Sequence, residues 1–483
     1  MAKGIGVMAM RADELITSSE KSQLRDLEFK SSALAGADQK ITLMTNGDIA
    51  RATFEMIEMA KFEIISMEFL LRDDLFGMMK LALLRQKARS GVKVLIHVDS
   101  FHLLIHPALV AHLAKEGIFF SIYNDLRLRK ATKFSFRNHC KFLIIDRRLF
   151  KTGDTNSGNE YVHWPSRHKM KSLDVVIDGP LTEQARAYAL EVLASPLTST
   201  PRVRVASESE VQTQRRRFQK LRTAMRTFLR LIHVQTDGPD QITKPDCILV
   251  TKNELQHAIQ ELDHAEQAYL AYRANNQNHP LDWKSRTIAT QAVRFFCDPV
   301  SMKGRHTGVG EAVASFCSSA KHELIILSPY LILTDQMKAS IKQALRNGAV
   351  VRFYTNSKSS TDNHTTQWAY EYRFAEIASL GNVEIFEFTG PETLHAKFLL
   401  RDDSDCMLMT YNIDWRSETK NLETALHFQD QALYTRLHDW LHEHQKYFVL
   451  VANHTRLLKS AYRDQSASDR IRRWVIQAIE KHL

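Results

Sequence analysis

Two short runs of this 483-residue chain bring together residue types suited to attack on a phosphodiester: Asn138-His139-Cys140-Lys141 with Asp146 further on, and Leu394-His395-Ala396-Lys397 with Asp402 at the same spacing. In an extended chain alternate residues share a face, so His139 and Lys141 point together, as do His395 and Lys397, while Cys140 and Ala396 turn to the core. An ammonium neutralises phosphoryl oxygens, and an imidazole near neutrality at pH 7 can be a nucleophile or a proton donor. One copy cannot fill both roles. Two copies let one histidine attack phosphorus while the other protonates the departing oxygen. The catalytic candidates are therefore His139, Lys141, Asp146, His395, Lys397 and Asp402. Asp146 and Asp402 carry a reservation, because their odd offset from the lysine turns them off the shared face of an ideal strand. Asp174 and Glu423, acids inside apolar strand-like runs, are expected to orient the imidazoles. Asn156 and Asn412, each ten residues past its aspartate, are expected to give amide hydrogen bonds to the phosphate.

The elements that must position these groups repeat as well. Arg89-Ser90-Gly91-Val92-Lys93-Val94 is answered by Arg346-Asn347-Gly348-Ala349-Val350-Val351. Each follows a helix-length amphipathic stretch, itself preceded by an apolar run, which reads as strand, helix, strand. The expected fold is α/β: two duplicated halves, mixed central sheets flanked by helices, with one composite site at a pseudo-two-fold interface. The expected organisation is an N-terminal segment over 1–40, a first half over 41–197, a polar and basic linker or helical insertion over 198–290, a second half over 291–450, and basic amphipathic C-terminal helices over 451–483. Within the middle segment, helices are expected around 212–232 and 254–274.

Composition narrows the class. A 44% hydrophobic and 25% charged chain with 17 Gly and 11 Pro is neither collagen-like nor disordered. The net charge of +10 favours a polyanionic partner, a nucleic acid or an anionic membrane. Five scattered cysteines without a CxxC pair suit a reducing compartment, and neither they nor the histidines show a metal-binding spacing. No run reaches the roughly 18 apolar residues of a spanning helix, and no cleaved signal is expected. The basic stretch Arg215–Arg230, with its Phe218, Leu221, Met225 and Phe228 stripe, fits an anionic lipid surface as well as it fits core packing. The stripe of Ile471, Trp474, Val475 and Ile479 carries the same two readings.

The paired motifs, with Gly153 and Asn156 in the first and Thr410 and Asn412 in the second, resemble the paired signatures of the phospholipase D superfamily over residues 40–195 and 290–450. Thr45-Asn46-Gly47-Asp48, Gly158-Asn159-Glu160-Tyr161, Leu173-Asp174-Val175 and the segment from Asn412 to Glu423 are similar to bacterial cardiolipin synthases. The tail from His454 to Lys459 is similar instead to phospholipase-D-type phosphatidylserine synthases. The resemblance implies a phosphohistidine intermediate, no metal and no cofactor, and a cardiolipin-synthase-like phosphatidyltransferase. It also implies a phospholipid donor, a small alcohol or lipid acceptor, and a cytoplasmic protein held peripherally on the inner face of the cell membrane, with nucleic acid disfavoured as a partner. A CDP-diacylglycerol–serine phosphatidyltransferase is the alternative, followed by a phospholipase D hydrolase or a phosphodiesterase nuclease. Family precedent leans to His139 as nucleophile, although the symmetry of the motifs leaves the assignment open. Two residues depart from the pattern: Asp154 stands where Gly or Ser is usual, an acid that is electrostatically unwelcome beside a phosphate unless it points away or pairs, and Met409 stands where Gly is usual. Both are expected to reshape the pocket. On this reading turnover survives EDTA, and a strict requirement for a divalent ion would force a different mechanism.

Overall fold

The computed structural model describes residues 38–125, 136–231, 247–276, 281–300, 308–453 and 456–457. Most of the N-terminal segment and the expected C-terminal helices fall outside them. Two nine-stranded mixed sheets form the framework. In the first, the central strands run in the spatial order Phe119–Tyr123, Lys93–Asp99, Glu63–Glu68, Phe142–Ile145, Leu149–Gly153, Leu173–Asp178, Gln39–Thr45. In the second, Val383–Phe388, Val350–Asn356, Glu323–Leu327, Phe398–Arg401, Asp405–Met409, Thr424–Gln429 and Val293–Cys297 occupy the same order. The strand-helix-strand units are parallel, whereas the strands that follow the HxK motifs run antiparallel to them.

Local chemistry explains why these elements start and stop. Glu63–Glu68 is buried along its whole length, as expected for a strand covered on both faces. The helix Leu75–Arg89 is capped by Asp74, which accepts from the Gly77 N–H. The helices of the repeated unit give way to Gly91 at φ 90° and Gly348 at φ 100°, conformations that cost glycine least. That requirement accounts for the glycine shared by the two repeated sequences.

One hydrophobic cluster crosses the seam, taking Cys140, Phe142, Phe150 and Tyr188 from the first half and Phe295, Ala396, Phe398 and Leu422 from the second. The Phe295 ring meets Phe142, Phe150 and Tyr188 with centroids 5.9–6.3 Å apart. Two parallel two-stranded clips reinforce it: Arg137-Asn138 pairs with Asn421-Leu422, and Met170-Lys171 pairs with Thr393-Leu394. Each half thus adds a short strand beside the other's catalytic segment.

The middle segment contains helices at Glu208–Leu231 and Lys252–Asn276. The second packs on the first half, burying Leu262, Ala265 and Tyr269 in its core, and Asp263 and Glu266 pair with the wholly buried Arg85 at 2.7 and 2.6 Å. Of the first helix, Val211 is buried and Arg216, Arg217 and Lys220 are exposed.

Asp146 and Asp402 occupy the hairpin turns beyond the catalytic strands, at φ 49° each and followed by Arg147 and Asp403, also at positive φ. Such paired positive φ values favour Asp, Asn and Gly. The Asp146 carboxylate accepts from the backbone N–H groups of Lys61, Phe62 and Glu63 at 2.7–2.9 Å. Asp402 does the same for Lys321, His322 and Glu323 at 2.8–3.2 Å. Roughly 20 Å of extended chain separates each from its histidine. The two aspartates, counted among the catalytic candidates, are placed as caps on the neighbouring parallel strand. Asp146→Ala is expected to lower stability by about 1–3 kcal/mol in urea denaturation, leaving three backbone donors without their acceptor, while the folded fraction keeps its turnover.

Candidate active site

His139 to Lys141 and His395 to Lys397 lie in extended connectors just before the central strands Phe142–Ile145 and Phe398–Arg401, not within them. Cys140 and Ala396, both fully buried, anchor each connector in the core and turn the flanking His and Lys to the opposite side. Partners from the opposite half fix the backbone: the His139 N–H donates to Leu422 O and the His395 N–H to Lys171 O, both at 3.0 Å. Behind them, Asp99 accepts from Arg137 Nη1 at 3.1 Å and the Asn138 N–H at 3.0 Å. Asn356 brackets Leu394 likewise, accepting from its N–H at 2.9 Å and donating to its carbonyl at 2.8 Å.

The acids cross the seam too. His139 Nδ1 lies 2.8 Å from Glu423 Oε2, and His395 Nδ1 lies 3.0 Å from Asp154 Oδ1. A carboxylate can only accept, so each contact places the imidazole proton on Nδ1 and leaves Nε2 with its lone pair. Thr410 Oγ1, Ser417 Oγ and Asn421 Nδ2 also donate to Glu423, at 2.5, 2.8 and 2.9 Å. Lys141 and Lys397 each donate Nζ to the carbonyl of their own histidine at 2.7 Å, and Lys397 Nζ sits 3.4–3.5 Å from the ring nitrogens of His395. The edge or face of Phe69 meets the His139 ring at 4.5 Å, and Tyr161 meets His395 at 5.2 Å. Lys141 stands 5.1 Å from the Phe69 ring centroid.

Burial sets the electrostatics. It pushes His139 down to about 4, against the opposing pull of Glu423, and holds His395 well below the usual imidazole range, with Lys397 adding to the effect. Lys141 falls to about 7 through burial, and Lys397 is lowered for the same reason. Glu423 is pushed up by burial, but His139, Lys141 and the Thr410 hydroxyl together keep it below the ordinary carboxylate value. Asp154 rises to about 6 through burial, with Lys397 opposing. The resting site therefore holds neutral imidazoles beside carboxylates, a state ready for an incoming anion.

Glu423 stands beside the His139 imidazole, where an orienting acid was expected. Asp174 does not reach an imidazole. It pairs with Lys151 at 2.6 Å and accepts from the Thr155 N–H at 3.1 Å. The acid on His395 is Asp154, the residue expected to be unwelcome unless it pairs; paired with Nδ1 it fixes a tautomer. Met409 does not narrow the site either, since its side chain joins the core of the second half. Gly153 at φ 155° is required, because a Cβ there would come within 2.3 Å of Asp174 Oδ1 and 2.5 Å of Leu173 O. Asn156 and Asn412 sit past the turns with buried side-chain oxygens that have no hydrogen-bond partner among the described residues. Asn156 also lines a small polar cavity with Lys141, Lys151, Thr155 and Ser157. Phe69 carries no sequence signal of its own, and Tyr161 and Thr410, though they lie in the resembling segments, show their contacts with His395 and Glu423 only in the fold. His102, read from sequence as structural, packs on Phe69 at 4.1 Å, which brings it into the wall of the site.

The family described as "Cardiolipin synthase, PLD-like domain" matches residues 313–445. Over 398 residues the chain is 23% identical to the cardiolipin synthase of Clostridium perfringens (strain 13 / Type A), a match that covers 78% of this chain and 65% of that protein. Over 122 residues it is 32% identical to cardiolipin synthase A of Buchnera aphidicola subsp. Acyrthosiphon pisum (strain APS), covering 25% of this chain and 24% of the relative. Among solved structures, the phosphatidylserine synthase of Haemophilus influenzae Rd KW20 superposes with a TM-score of 0.62 at 14% identity, covering 96% of this chain and 100% of that one, a likeness of fold. The second half of the chain thus resembles a phospholipase-D-like domain of the cardiolipin synthase kind, and the chain as a whole is similar to cardiolipin synthases over 78% of its length. It is an α/β protein of two duplicated halves, as the sequence reading expects.

The two histidines depend on acids supplied by the opposite half. Glu423→Gln keeps the size of the side chain but places an amide against His139 Nδ1. Turnover of a phosphodiester is expected to fall about 10²- to 10⁴-fold, measured as kcat, with the unfolding transition still cooperative.

Proposed function

We propose that this protein is a phosphatidyltransferase of the phospholipase D type, cardiolipin-synthase-like, working through a phosphohistidine. The observation that carries the reading is the pair of buried His–carboxylate contacts, His139–Glu423 and His395–Asp154, set beside Lys141 and Lys397 at one seam. A phosphodiester anion entering between the lysines raises the proton affinity of the imidazoles, and His395 takes up one proton from solvent at Nε2 while His139 stays neutral. His139 Nε2 attacks phosphorus, the new N–P bond forms as the P–O bond to the leaving alcohol breaks, and a proton on His395 Nε2 passes to the departing oxygen. The lysines and the amides of Asn156 and Asn412 stabilise the charge on the phosphoryl oxygens. In the second half-reaction the now neutral His395 takes the proton of an acceptor hydroxyl, whose oxygen displaces His139. Phosphatidyl group, proton and alcohol balance across the two steps.

The donor is a phospholipid and the acceptor a small alcohol or a second lipid. Among the described residues no helix is long and apolar enough to cross a membrane. Access to lipid then falls to peripheral binding on an anionic, inner-face surface. The net charge of +10 and exposed Arg216, Arg217 and Lys220 on the helix Glu208–Leu231 support that placement.

Product mass spectrometry tests the function. With EDTA present, purified protein is given mixed micelles of phosphatidylglycerol, phosphatidylethanolamine and CDP-diacylglycerol, together with serine and glycerol. Cardiolipin is expected with wild-type protein and not with His139→Ala or His395→Ala. Phosphatidylserine alone would replace this reading with the serine transferase, phosphatidic acid alone with the hydrolase. Unchanged lipids would move the assignment to a phosphodiesterase of another substrate class.

A further inference from the structure

The two halves are not copies in the place from which each supplies its acid. Corresponding positions follow from two independent sets of backbone contacts. The Asp154 N–H donates to Leu173 O, and the Thr410 N–H donates to Thr424 O, which aligns Asp154 with Thr410 and the residues before each acceptor, Ser172 with Glu423. The clips give the same result. Lys171 O receives the His395 N–H as Leu422 O receives the His139 N–H, and the next residues are again Ser172 and Glu423. In the second half the turn position carries a hydroxyl, Thr410, and the clip position carries the acid, Glu423, joined at 2.5 Å. In the first half the turn position carries the acid, Asp154, and the clip position carries the hydroxyl, Ser172.

We infer that carboxylate and hydroxyl have been transposed in the first half, so that Asp154 is the positioning residue for His395 and Ser172 the vestige of an acid site. Three observations support this. Asp154 Oδ1 reaches His395 Nδ1 at 3.0 Å although its backbone position matches a threonine. Its other oxygen, Oδ2, accepts from the Leu173 N–H at 3.0 Å, which holds the carboxylate aimed at the ring. The Ser172 side chain is buried beside that carboxylate and helps hold its proton affinity down, the part that the Thr410 hydroxyl plays toward Glu423 in the second half. The physical constraint is one carboxylate per imidazole. Two acids at the paired positions would repel inside a buried site, and none would leave Nδ1 without an acceptor and its tautomer free. The two positions are thus coupled, and either order satisfies the histidine.

This inference rests on the two-histidine reading of the site but not on the lipid chemistry, and its test has a readout for each. The full chain, labelled with ¹⁵N and ¹³C histidine, is compared as wild type, Asp154→Asn, Asp154→Thr, Ser172→Glu and the double variant Asp154→Thr/Ser172→Glu, with His395→Gln assigning the resonance. Wild-type His395 is expected as the Nδ1–H tautomer. Asp154→Asn and Asp154→Thr are expected to lose that signature and about 10²- to 10⁴-fold in kcat with little change in KM. Ser172→Glu alone is expected to impair turnover, and the double variant to recover the tautomer and come within about tenfold of the wild-type rate. A wild-type His395 spectrum in folded Asp154→Asn, or a double variant no better than Asp154→Thr while both unfold cooperatively, overturns the transposition. If the double variant does not fold, Asp154→Asn alone decides. The spectrum reads out even if none of the lipids above is turned over, so failure of the substrate assignment is separable from failure of this one.

Discussion

The structure is organised around a reciprocal exchange: each imidazole takes its carboxylate from the opposite half. His139, Lys141, His395 and Lys397 are all buried at the seam, where an unpaired charge would be costly. Neither half supplies its own solution, because the carboxylate that could balance each histidine projects across the interface. Folding and assembly of the site are therefore the same event. The clips and the shared Phe295 cluster hold the halves at the one separation where both contacts close, 2.8 and 3.0 Å.

From that constraint follows a division of labour among the acids. Asp146 and Asp402, the most regular feature of the two motifs, serve the sheets: their carboxylates gather the first N–H groups of the adjoining parallel strands. Asp174 neutralises Lys151. Glu423 and Asp154 are the acids that touch the catalytic imidazoles, and they differ in setting, since Glu423 is kept ionised by several donors while Asp154 rises to about 6. The first half also contains a polar network absent from the corresponding strand of the second. There Glu68 accepts from Ser66, Lys80 and Ser157, and a serine, Ser328, takes the matching place after Glu323–Leu327. The pseudo-symmetry of the backbone therefore frames a site whose two sides are chemically distinct.

Much of this was legible in the chain. The HxK spacing, the repeat and the shared glycines led to duplicated α/β halves, because strand alternation and helix termination are local properties. The misplaced acids show where locality ends. Asp174 and Asp154 both lie in buried, strand-associated positions, and only the path of the chain across the seam distinguishes which faces His395. Asp154 looked like a defect for the same reason: an acid near a phosphate repels it, unless a histidine stands between them.

By itself the sequence determined the catalytic residue types, their duplication and the secondary structure that carries them, since these depend on spacing along one strand or helix. Tertiary structure alone decided which carboxylate meets which imidazole, that Asp146 and Asp402 are caps, and that the helix Lys252–Asn276 belongs to the first half. Those outcomes depend on contacts between residues up to 284 positions apart. No local periodicity encodes such a contact; it is fixed by the burial that brings the two sheets together.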